Sequence, residues 1–115
     1  MTEPTIDFAT FRELQDSAGP EFVAELVDTF LEEAPLMLAE LRSAKAASDA
    51  DTFRRAAHSL KSNSQTFGAM ALGALARELE LKGLAAIGAN DDAALDALDA
   101  AYAHAAAGLK ALCHG

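Results

Sequence analysis

Near the C-terminal end, Leu95, Leu98, Tyr102, Ala105, Leu109 and Leu112 succeed one another at steps of three and four residues. That spacing lines one side of a helix and predicts a bundle-facing seam. Asn90 is a suitable N-cap for it, and Asp91 and Asp92 suit its positive end. Upstream, "PTIDFATFRELQDSAG" carries a short amphipathic pattern, with Phe8, Phe11 and Leu14 on one side and Gly19 as a stop. Pro20 can open a long helix at its first position. That helix places Phe22, Leu26, Phe30, Met37 and Leu41 near one face, with Pro35 inside it, where a kink or a loosened turn is expected. "SDADTF" supplies capping residues for a helix from Asp51 to Phe67 that should end near Gly68. Leu72, Leu75, Ala76, Leu79 and Ile87 mark the next, closing at Gly88. No segment alternates as a strand does.

Four long helices on short connections must be antiparallel neighbours. The expected fold is all-α: an antiparallel up-down-up-down four-helix bundle with a short extra N-terminal helix. The chain has 115 residues, enough for one modest core, and no repeat or linker divides it. Residues 1–115 therefore read as a single domain, whether free-standing or cut from a longer polypeptide. Abundant leucine and alanine favour helix over sheet. A formal charge of −9 argues against nucleic acid and anionic lipid as partners, since both demand clustered cations. Cys113 is the single cysteine and has no partner for a disulfide. The acidic start has no signal-peptide core and no apolar run approaches bilayer length, so the expected location is the cytoplasm.

One stretch departs from the acidic background. Arg54, Arg55, His58 and Lys61 fall within eight residues, with no acid between Asp51 and Glu78. At about 100° per residue, Phe53, Ala56, Ala57, Leu60, Ser64 and Phe67 share a core-facing sector. Arg54, His58, Lys61, Ser62 and Gln65 gather in another, so His58 should stand exposed between cations and hydrogen-bond donors. An imidazole with an ordinary pKa of about 6.5 is mostly neutral at cellular pH and is then a nucleophile. Nearby cations favour that neutral form and could neutralise a phosphoryl group on the ring, Lys61 having the reach to do so. Ser62 and Gln65 could donate hydrogen bonds to the phosphoryl oxygens or orient the ring. The same residues also describe a plain solvated helix face, and periodicity does not separate the two.

The order of residues does. "AHSLKSNSQTFGA" (57–69) resembles the signature of histidine-containing phosphotransfer (HPt) domains, with alanine-histidine, a leucine-lysine pair, small residues and a closing hydrophobic-glycine. His58 matches the phosphoryl-accepting histidine, Leu60 a core leucine, Lys61 the phosphate-side lysine, Ser64 a small core position and Gly68 the closing glycine. "FLEEAPLMLAEL" (30–41) is similar to the family's second helix, including Pro35. The resemblance covers about residues 20–112. It departs from the family at Ser62, often glycine, and at Asn63, usually alanine or serine.

The resemblance implies a phosphorelay intermediate: His58, through Nε2, takes a phosphoryl group from an aspartate of a response-regulator receiver domain and returns it to another. It implies no cofactor of the chain's own, Mg²⁺ on the partner receiver, and no ATP-binding or kinase element. Expected partners are receiver domains or a hybrid histidine kinase, met by a monomer. Arg54 and Arg55, with Leu31 and Leu38 as an apolar patch beside His58, are the candidate partner surface, although Leu31 and Leu38 could equally cover the N-terminal helix. Two other readings stay open: a helical adaptor without the chemistry, and the phosphoacceptor domain of a chemotaxis-type histidine kinase. A metal-binding bundle is disfavoured, because the Glu-x-x-His pairs it needs are missing and His104 and His114 have no partner at ligand spacing.

Overall fold

The computed structural model describes residues 6–84 and 92–114, and among them every regular element is a helix. They are α1 (Phe8–Ala18), α2 (Pro20–Ala47), α3 (Ala50–Thr66), α4 (Met70–Lys82) and α5 (Ala93–His114). Each of α2 to α5 packs on the next, and α5 returns to α2, which closes a four-helix bundle with α1 lying against α2 and α3. α2 and α5 run in opposite directions. Arg42 of α2 bridges Asp96 and Asp99 near the start of α5, while Leu31, further back on α2, meets Tyr102, further on in α5.

The core is built from the apolar stripes expected of these helices. Leu95, Leu98, Ala105 and Leu109 are buried, with Tyr102 and Leu112 packed at its margin. Phe53, Ala56, Ala57, Leu60, Ser64 and Phe67 are all buried, which fixes the outward face of α3 by geometry. Asp49 caps α3, accepting from the Thr52 backbone N–H at 3.2 Å and from the Thr52 hydroxyl at 2.7 Å. The turn after α3 needs glycine: Gly68 has φ +83°, and a Cβ there would sit 2.8 Å from the Asp7 carbonyl oxygen. The Gly68 carbonyl accepts from the Asp7 N–H at 2.8 Å, so this turn also anchors the start of α1.

Four expectations need correction. Phe8 and Phe22 are 58% and 51% exposed, not core: Val23, in the same first turn of α2, is buried, and Phe22 is turned about 100° away from the sector that Val23 shares with Val27, Phe30, Ala34 and Leu41. The third long helix stops at Lys82, not at Gly88: Gly83, at φ +73°, donates its N–H to the Leu79 carbonyl and ends it. Ile87, Gly88, Asn90 and Asp91 lie outside the described residues. Leu31 and Leu38 cover neither α1 nor the side of α2 that faces α3. They share a sector of α2 with Arg42 and Lys45, which pair with α5, and lie half-buried against the core.

Pro35 does not end α2, which continues as one helix on both sides of it. Proline lacks the N–H that would bond the carbonyl four residues earlier, that of Leu31. The Tyr102 hydroxyl of α5 supplies the missing donor, 3.2 Å from the Leu31 oxygen. An interruption in one helix is thus repaired from its neighbour.

Candidate phosphoacceptor site

His58 lies midway along α3 with its side chain 57% exposed, open to a partner. Around it is an open basin of about 420 Å³ lined by Arg54, Arg55, His58, Ser59 and Glu80. A second groove of about 340 Å³, between α2 and α3, is lined by Met37, Glu40, Thr52, Arg55, Ala56 and Ser59. Arg55 and Ser59 belong to both, so the two hollows adjoin across α3.

Sequence reasoning missed the residue that organises this surface. Glu80 of α4 places Oε2 2.5 Å from His58 Nδ1 and Oε1 2.8 Å from Lys61 Nζ. It is held there because α3 and α4 are joined by a three-residue connection and pack closely, with Gly73 of α4 against Ser64 and Gln65 of α3. Counting outward from the turn in both directions would have brought residues near position 80 opposite His58. No property of α3 alone could reveal them.

The charges are arranged differently from the unopposed cations expected from the sequence. Arg54 and Arg55 both pair with Asp51, at 3.1 and 3.2 Å, and Lys61 pairs with Glu80. Lys61 holds the Glu80 carboxyl below its ordinary value, partial burial works against this, and His58 adds to the lowering. Ser62 is exposed one turn beyond His58. Gln65 is exposed two turns beyond it, on the stretch of α3 that packs over Gly73. Leu31 and Leu38 are outside the assembly, on the α5 side of α2. The exposed apolar residue on the outer side of α2 at this level is Leu36.

A carboxylate can only accept a hydrogen bond, so the contact with Glu80 requires the proton on His58 Nδ1. In the neutral ring the lone pair then belongs to Nε2. The arrangement therefore offers an exposed nitrogen nucleophile, one ammonium within reach of a group bonded to it, and an acid that orients the ring. His104 is exposed on α5, while the expected solvation of the His114 side chain falls outside the described residues. Among the described residues no cluster of three or more His, Cys, Asp or Glu side chains could hold a metal ion.

Comparisons with known proteins place the chain in a family. The family model described as "Hpt domain" matches residues 25–114. The crystal structure of histidine-containing phosphotransfer protein B (HptB) from Pseudomonas aeruginosa PAO1 superposes with a TM-score of 0.84 at 27% sequence identity, covering 97% of this chain and 96% of that one. No curated protein matches the chain.

Proposed function

Because the chain belongs to the Hpt domain family, whose members carry phosphoryl groups in two-component phosphorelays, we propose that His58 is its phosphoacceptor and exchanges the group with receiver-domain aspartates. The observation that carries this reading is the half-exposed imidazole whose Nδ1 faces the Glu80 carboxylate, which leaves Nε2 as the free nucleophile. In the accepting step the Nε2 lone pair attacks phosphorus, and the P–O bond to the receiver aspartate breaks with its electron pair returning to that carboxylate. Lys61 is close enough to follow the phosphoryl oxygens. Magnesium belongs to the receiver, where it offsets charge on the aspartyl phosphate. This chain contributes the nucleophile and the docking surface, and works as a carrier in the cytoplasm without using ATP. Its partner surface is the rim of the basin, with Arg54 and Arg55 on α3 and the adjoining α2–α3 groove. Among the described residues no helix is long and apolar enough to cross a membrane.

The test is transfer of label from a phosphorylated receiver. His58→Gln removes the nucleophilic nitrogen from an exposed position, so the variant should stay folded by circular dichroism and take up no label. His104→Gln and His114→Gln should label at the parent rate. Labelling of folded His58→Gln would place the acceptor elsewhere and end this reading.

A further inference from the structure

Glu80 has a consequence beyond orienting the ring. When Nε2 takes a phosphoryl group while Nδ1 keeps its hydrogen, the imidazole becomes positively charged. Transfer onward breaks the P–N bond and returns the electron pair to Nε2. With Nδ1 protonated, the leaving group is a neutral imidazole. With Nδ1 bare it is an imidazolate, a far stronger base and a far poorer leaving group. The fate of the Nδ1 proton therefore decides how readily the phosphoryl group can leave.

Resting on the phosphoacceptor reading of His58, we propose that Glu80 is a positioning residue that retains the Nδ1 proton on the phosphorylated ring and so keeps the phosphoryl group transferable. The carboxylate is in contact with Nδ1 at 2.5 Å and its side chain is only 18% exposed, so water competes poorly for that proton. The other charges facing the ring act the opposite way or are spent. Arg54 and Arg55 on α3 disfavour a ring cation, but both are paired with Asp51. Lys61 is paired with Glu80 itself, and its partner on α4 gives it a place to return to once the phosphoryl group has left. From α2, Glu40 lies in the adjoining groove and reaches the basin only through the shared Arg55 and Ser59. Glu80 is thus the acid placed to hold the proton, and its negative charge also repels a phosphoryl dianion, which acts in the same direction.

The experiment loads the protein with phosphoramidate, which phosphorylates imidazole without a receiver, in a His104→Gln, His114→Gln background. Decay of the phosphohistidine signal is followed by phosphorus NMR for the parent and for Glu80→Gln, which keeps an oxygen acceptor for Nδ1–H but loses the charge. At about pH 8 the Glu80→Gln label should outlive the parent's by about fivefold or more, the factor for one charge pair at close range even in bulk water. At about pH 5 solvent protonates either ring and the lifetimes should converge. Equal lifetimes at the higher pH overturn the proposal, as does a gap that persists unchanged at the lower one, which would reflect packing. Independently of any variant, nitrogen NMR of the loaded parent at about pH 8 should show Nδ1 protonated, and a bare Nδ1 overturns it. Absence of any phosphohistidine signal on the parent does so too, because the proposed tautomer requires a reactive Nε2. Since no receiver is present, these outcomes are separate from a failure of receiver labelling, which would count against the phosphorelay reading alone.

Discussion

Replacing Tyr102 with phenylalanine removes one oxygen and should expose the cost of Pro35. The ring would still pack edge-on against Phe30, whose centroid is 6.2 Å away, so the change isolates the hydroxyl. Without it the Leu31 carbonyl has lost its helical donor to Pro35 and its substitute to the mutation. A buried acceptor left unpaired costs about 1–3 kcal/mol. Leu31 and Tyr102 are both half-buried and the bond is long for a hydroxyl donor, which places the loss near the lower end, about 1 kcal/mol. For a domain of this size that lowers the melting temperature by about 4 °C. Pro35 is exposed, so Pro35→Ala leaves the core alone and restores a backbone N–H four residues after Leu31. In that background Tyr102→Phe should cost no more than a few tenths of a kcal/mol. The assay is a double-mutant cycle by urea denaturation with a common slope, and the expected coupling is about 1 kcal/mol. Equal losses in both backgrounds would refute the idea that Tyr102 repairs the gap left by Pro35.

Phe53 is fully buried, and Phe53→Ala should cost about 3–5 kcal/mol in the same denaturation assay; a loss under about 1 kcal/mol would contradict the burial that turns His58 outward. Two glycines should respond with opposite signs. Gly68→Ala forces a Cβ against the Asp7 backbone at positive φ and should cost about 2 kcal/mol or more, whereas Gly73→Ala meets only the flexible Gln65 side chain closely and should gain up to about 1 kcal/mol from helix propensity. Acid should weaken the fold, because Asp49, hydrogen-bonded by Thr52, Asp92, paired with Lys45, and Glu80, paired with Lys61, are all held below their ordinary values. Depressed carboxylates contribute stability above the unfolded range near pH 4 and lose it as pH falls through their folded values, so melting temperature should drop between about pH 5 and pH 2. A flat profile across that interval would remove these contacts from the list of stabilising ones.

The parts of this fold that were legible in the sequence are those decided within one helix. The steps of three and four along α5 and the two sectors of α3 follow from helical geometry, and short connections then leave the helices little choice but to pack side by side. Helix ends were harder. Phe22 and Val23 share the first turn of α2, yet only Val23 is buried, because it falls in the core sector while Phe22 stands at the edge of a wide apolar arc. In α4, Ile87 prolonged an attractive pattern across the Lys82–Gly83 stop, although a lysine followed by glycine is itself a terminating signal. Leu31 and Leu38 show a third limit. The width of an apolar arc can be read from one helix, but which neighbour lies beside each edge cannot. Glu80 is the extreme case, since it stands 22 residues from His58 in sequence and enters the site only through the register of α3 against α4.

That register also resolves how an acidic protein can concentrate cations around a histidine without building a phosphate trap. Three cations near His58, Arg54, Arg55 and Lys61, face two acids, Asp51 and Glu80, each of which is already in contact with them. If His58 is the acceptor proposed above, a phosphoryl group arriving on Nε2 competes with carboxylates for each of these cations. Strong, unopposed binding would lower the energy of the phosphorylated state and make departure slow, since an interaction that stabilises the ground state as well as the transition state does not speed the step that follows. A carrier needs the group to be almost as comfortable on its neighbours as on itself. Under the same proposal Lys61, paired with the Glu80 carboxylate, would move between it and the phosphoryl group at little cost, because one charge contact would replace another. The acids that sequence reasoning placed outside the site are, on this reading, what keeps the group moving.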